Sequence, residues 1–140
     1  LLSSIMLIYI FIHRIVVYVQ DRREIASLIY EVDIVTNSDV RKVRAFLDTG
    51  NELREPVTNL PVMIVEKEAL NDLEIKSKDK FYIPYKVING FSGMLEGFKP
   101  KYINIHSDNG IEQKEVIVAL CNNMISEVRD YNALLSRGIL

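Results

Sequence analysis

The chain holds a single cysteine, Cys121, in 140 residues. No internal disulfide can form, and the usage fits a reducing compartment. No long basic run appears and the formal net charge is −2, so a nucleic-acid partner is not expected. The two histidines, His13 and His106, have no partner at metal-ligand spacing, and Cys121 has no second cysteine beside it; neither a metal nor a cofactor is expected. Nor do the residues supply a Ser-His-Asp or Cys-His arrangement for nucleophilic catalysis. No internal repeat or low-complexity tract interrupts the chain. Half of the residues are apolar, enough for one domain with a core and one appendage.

The appendage is at the start. "LLSSIMLIYIFIHRIVVYV", Leu1 to Val19, is apolar apart from two serines and the pair His13-Arg14, and is about the length that spans a bilayer. No basic leading region and no small-residue cleavage site mark it as a signal peptide. Arg14, Arg22 and Arg23 lie on its C-terminal side, so the positive-inside rule places the rest of the chain in the cytoplasm. The expected division is a last transmembrane helix with its juxtamembrane segment over 1–23 and a soluble domain over 24–140. The bland alternative is a buried amphipathic core helix. A start at Leu1 rather than Met reads as a fragment of a longer membrane protein.

From Leu28 the pattern changes to strands. "LIYEVDIV" alternates, with Tyr30, Val32 and Ile34 on one face and Glu31 and Asp33 on the other. "TNSD" is a turn and "VRKVRAFL" resumes the strand, giving a hairpin whose second arm ends at Asp48. "PVMIVE" reads as a short strand, "KEALNDL" as at most two helical turns and "SKDK" as a loop. "FYIPYKV" and "MLEGFKPKYINI" read as two strands flanking "INGFSG". "SDNG" is a turn before a strand "KEVIVAL", and "YNALLSRGIL" favours strand over helix. Many short strands separated by polar turns predict an all-β, barrel-like domain.

Asp48-Thr49-Gly50 is the triplet of aspartic-protease sites, and it occurs once. Peptide hydrolysis by aspartates needs two carboxylates sharing one proton, one as base toward water and the other as acid toward the carbonyl; the repulsion of like charges about 3 Å apart splits their pKa values. An aspartate at a buried strand end is held rigidly, a following threonine offers a hydroxyl to fix the loop, and glycine permits a tight turn. Apolar "AFL" before the aspartate keeps the site dry. Read alone, the triplet is equally an Asp-initiated surface turn. Asn89, Gly90, Phe91, Ser92 and Gly93 would form the tip of a flap closing over a cleft, or else a plain hairpin turn.

"DTGNELREPVTNLPVMIVE", with "IPYKVINGFSGMLEGFKPKYI" and "YNALL", resembles the membrane-embedded sporulation sigma-E factor-processing peptidases over nearly the whole chain. Glu55 departs from the pattern, where an aspartate is expected before the proline. The resemblance implies a retropepsin-like fold, a closed β-barrel half preceded by a transmembrane helix, active as a homodimer. Each subunit would supply Asp48, with Thr49, Gly50 and Asn51 supporting the loop, and two-fold symmetry would generate the second carboxylate. It implies a protein substrate, a sigma-factor precursor that loses its N-terminal extension. The place would be the sporulation septum, on the mother-cell side, with the protease domain cytoplasmic. An activating signalling protein acting through the membrane domain is a further implied partner. Retropepsins often carry a small residue where this chain has Asn51, and they end in a helix that "YNALLSRGIL" does not place. Two other readings stay open: a catalytically silent, membrane-anchored β-barrel that binds a partner, and a retropepsin-like protease with another substrate.

Overall fold

The computed structural model describes residues 1–71, 73, 79–86, 90 and 92–139. Among these residues helix α1, Leu2–Ser27, leads into nine strands: β1 Ile29–Val35, β2 Val40–Asp48, β3 Val62–Glu66, β4 Lys80–Lys86, β5 Ser92–Phe98, β6 Tyr102–Ser107, β7 Gly110–Lys114, β8 Ile117–Cys121 and β9 Ala133–Ser136. Among the described residues the domain is mostly β-sheet, with 3-10 turns at Lys67–Leu70 and Arg137–Ile139.

No residue of α1 is buried. At 1.5 Å per residue its 26 residues reach about 39 Å, more than the roughly 30 Å of a hydrocarbon core. The helix is long and apolar enough to cross a membrane. A buried core helix is not what the structure shows. The helix touches the domain through an ion pair, Arg22 Nη1 to Asp130 Oδ2 at 3.0 Å, between two side chains that are both more than a third exposed. Such a pair contributes little.

The strands form one sheet in the order β4-β5-β8-β3-β9-β2-β1-β6-β7. Alternation in β1 is realised as read: Val32 and Ile34 are fully buried and Glu31 is exposed. In the middle of the sheet the pattern differs. Strands β3 and β8 pair in parallel, and both are covered on both faces. Met63, Val65 and Val118 enter one core with Val32, Ile34, Val43, Ile103, Ile105 and Leu135. Val62, Ile117 and Ala119 enter a second with Ile83. Two-sided burial explains why "PVMIV" and "VIVAL" are continuous apolar runs instead of alternating ones.

Two strand expectations need correction. "MLEGFKPKYINI" is not one strand: β5 ends at Phe98 and β6 begins at Tyr102, because Lys99-Pro100-Lys101 turns the chain. Pro100 has no N–H for a ladder. Strand β7, Gly110–Lys114, pairs with β6 along the sheet edge, in a stretch whose sequence predicts no strand. Of the expected "SKDK" loop, Ser77 and Lys78 lie outside the described residues and Lys80 opens β4. Cys121 is half-buried and lines a cavity of about 450 Å³ with Glu66, Lys67 and Asp130.

Candidate active site

Asp48 is the last residue of β2, which lies between β1 and β9 in the interior of the sheet. The Leu47 N–H donates to the Leu28 carbonyl at 2.8 Å, and the parallel ladder with β9 sets Asp48 opposite Ser136. Paired on both sides, the strand end is rigid where the carboxylate is attached. Ala45 is fully buried and Phe46 stacks on Tyr131 with ring centroids 5.0 Å apart. Asp48 itself is half-buried.

The chain then reverses. The Gly50 N–H donates to Asp48 Oδ1 at 3.1 Å and the Asn51 N–H to the Asp48 carbonyl at 3.1 Å, an Asx-type turn. The threonine hydroxyl expected to fix this loop has no partner among the described residues; Thr49 and Gly50 are both exposed. Asn51 does that work instead. Its Oδ1 accepts the Leu53 N–H at 2.9 Å, and its carbonyl accepts the Arg137 N–H at 2.9 Å, tying the loop to the chain after β9. Gly50 is not in the positive-φ region, and a Cβ there would meet only Asp48 Oδ1 at an ordinary 3.5 Å. Among the described residues nothing demands glycine at 50.

Farther along, the loop is closed by Glu55. Its buried carboxylate accepts the Val57 N–H at 3.1 Å, the Thr58 N–H at 2.6 Å and the Thr58 hydroxyl at 2.6 Å. The Thr58 hydroxyl is the main reason the carboxyl is held below its ordinary value; the Thr58 and Val57 N–H groups add to it and burial opposes it. The Arg54 Nη1 donates to the Asn59 carbonyl at 2.9 Å. Leu53 and Leu60 pack on the second core, so the loop sits against the base of the β4–β5 hairpin, where Ile83 is fully buried.

That hairpin is the expected flap, in register from Lys80↔Phe98 to Lys86↔Ser92. Asn89 and Phe91 of the expected tip lie outside the described residues. Gly90, at φ +91°, is the tip residue that takes the left-handed backbone. Gly93 is inside β5 opposite Tyr85. Its need for glycine is different: a Cβ would lie 2.8 Å from the Tyr85 hydroxyl and 2.9 Å from its ring, because that ring folds across the strand pair. Sequence reading misses Tyr85 and Ser136, and only the register could have found them.

The relatives of the chain agree with this layout in extent. The family described as Peptidase_U4, sporulation factor SpoIIGA, matches residues 1–139. A "Probable sporulation sigma-E factor-processing peptidase" of Clostridium acetobutylicum is 47% identical over 138 residues, which cover 99% of this chain and 52% of that protein. A "Sporulation sigma-E factor-processing peptidase" of Priestia megaterium is 25% identical, covering 75% of this chain and 42% of that one. The chain thus spans about half the length of the curated relatives it matches. Among solved structures, "EIAV protease complexed with the inhibitor HBY-793" aligns at TM-score 0.40 and 14% identity, over 78% of this chain and 81% of that one, too distant to decide fold or chemistry. The match over residues 1–139 does decide the family: the chain belongs to Peptidase_U4, the sporulation factor SpoIIGA family.

Proposed function

We propose that this chain is the proteolytic part of a membrane-anchored aspartic endopeptidase with a retropepsin-like fold, active as a homodimer. Its substrate is the precursor of a sporulation sigma factor, which loses its N-terminal pro-sequence; the substrate follows from the names of the two relatives. The observation that carries the reading is Asp48, rigid at the end of an interior strand and followed by a loop closed from within. Thr49 and Gly50 are exposed and suit a surface that meets a second subunit.

In the dimer the two Asp48 carboxylates share one proton. The ionised one takes a proton from the attacking water while its protonated partner polarises the scissile carbonyl. The β4–β5 hairpin covers the bound segment and excludes water. The apolar helix α1 anchors the domain at the membrane, with the catalytic domain on the cytoplasmic, mother-cell side of the septum. A signalling protein acting through further membrane segments would control when two chains meet.

Asp48→Asn tests the assignment, because it keeps the side-chain shape and removes the acid–base pair. The full chain is co-expressed with a sigma-E precursor and scored for the shortened product. Loss of cleavage by roughly a hundredfold or more with an unchanged melting temperature is expected. Wild-type cleavage by the variant would instead leave Asp48 a turn residue and the chain a silent binding module.

A further inference from the structure

Ser136 is 1% exposed, and its Oγ is buried with no hydrogen-bond partner. A buried hydroxyl left unpaired is costly, and in a native chain it calls for an explanation. The position supplies one. Ser136 is the register partner of Asp48 in the parallel β2–β9 ladder, and register partners in neighbouring strands point to the same face at a strand spacing of about 4.8 Å. The flanking pairs confirm the alternation: Leu47↔Leu135 faces the main core, where Leu135 is fully buried, and so does Ala45↔Ala133. Asp48 and Ser136 therefore share the opposite face. On the carboxylate, Oδ1 accepts the Gly50 N–H, while Oδ2 has no partner among the described residues. A donor without an acceptor stands beside an acceptor without a donor.

The surroundings fix the serine. On one side β9 is bound to β2 and on the other to β3, through Ile64↔Leu134 and Val65↔Ala133. The next N–H along, that of Arg137, is taken by the Asn51 carbonyl of the Asp48 loop. The backbone at 136 cannot withdraw without breaking the loop that shapes the site. Only side-chain rotation is left to pair the hydroxyl.

We infer that Ser136 is a positioning residue for the Asp48 dyad, its hydroxyl donating to Asp48 Oδ2 when two carboxylates meet. The inference rests on the dyad reading given above. In an isolated chain one carboxylate at a half-buried strand end is satisfied by solvent. When a second carboxylate and substrate displace that water, the hydroxyl replaces it on the ionised member of the pair. A hydrogen bond to the charged form favours that form, so the active, singly protonated dyad persists to lower pH. No bond is made or broken by the serine; it stabilises the ionised partner and holds the carboxylate plane.

The test is the pH profile of precursor cleavage by the full chain in membranes, for wild type, Ser136→Ala, Ser136→Thr and Asp48→Asn. Ser136→Ala should lower kcat about tenfold at unchanged KM and move the acid limb up by about one pH unit, the size set by losing one charge-assisted hydrogen bond. Ser136→Thr keeps the hydroxyl and should restore the limb. Melting temperatures separate function from packing, because removing an orphan hydroxyl should leave stability unchanged or raised. An acid limb unmoved in Ser136→Ala overturns the role, whatever the rate. So does a folded Ser136→Thr that behaves like Ser136→Ala. If Asp48→Asn still cleaves, the dyad reading itself fails; if it does not and the limb is unmoved, only the serine's role fails.

Discussion

Glu55 shows how one side chain can set the loop that follows Asp48. Three donors from Val57 and Thr58 converge on its carboxylate, and Asn59 follows with φ +57°, a conformation asparagine tolerates. The residue before Pro56 matters here for reach, since the carboxylate must come round to the Thr58 N–H and hydroxyl. With its folded pKa below the ordinary 4.5, the ionised form stabilises the fold above pH 4.5, and this contribution is lost as pH falls through the folded value. Glu55→Gln should therefore melt roughly a few degrees lower than wild type at pH 7, and the gap should close towards pH 3. Thermal melts followed by circular dichroism at the two pH values measure it. A gap independent of pH would assign Glu55 a role in shape alone.

At the scale of elements, the β4–β5 hairpin contains three described glycines with three different reasons. Gly90 takes a positive φ in open space. Gly93 clears the Tyr85 ring, the far end of a side chain that can swing aside. Gly97 is hemmed in by backbone: a Cβ would sit 2.5 Å from the Val118 carbonyl oxygen and 2.8 Å from Ile83 Cδ1, where β5 joins β8 through Gly97↔Ala119. Gly97→Ala should cost about 1–3 kcal/mol of stability as an overpacked core does, and cleavage should fall in step with unfolding. Gly93→Val should leave the melting temperature within about 2 °C, since Tyr85 yields, yet reduce kcat/KM severalfold by displacing the ring from the hairpin. Equal losses at both readouts for Gly93→Val would make it a structural position like Gly97.

The same elements show what sequence could and could not reveal. The β1–β2 hairpin is legible because one face of β1 is buried and the turn residues sit between the arms. Strand β7 is not, because "GIEQK" is an edge strand with Ile111 64% exposed and no buried face to impose a pattern. The break between β5 and β6 is hidden because apolar alternation runs on across Pro100. Asp48 and its loop can be named from residue order, whereas the places of Ser136 opposite Asp48 and of Tyr85 opposite Gly93 come only from pairing register. No local periodicity encodes which residue of β9 lies opposite Asp48.

For the whole molecule, the proposed dimer turns on what would bring two single-aspartate chains together. The segment 131–139 contains β9, which lies between β2 and β3 in the sheet and so presents no free edge for pairing with a second subunit. Among the described residues the free sheet edges are β4, in the proposed flap, and β7. No residue of helix α1 is buried, and among the described residues an exposed ion pair, Arg22 to Asp130, ties it to the domain. Holding two such chains in one membrane confines their search to a plane and raises the apparent affinity by orders of magnitude with no new contact. The soluble part, Glu24 to Leu140, should therefore be a monomer at micromolar concentration in analytical ultracentrifugation and be nearly inactive on the precursor. Fusing a dimerising coiled coil in place of α1 should restore cleavage by roughly tenfold or more. A tight dimer, fully active without the fusion, would leave α1 only a localising role and move the control of proteolysis from chain pairing to the site itself.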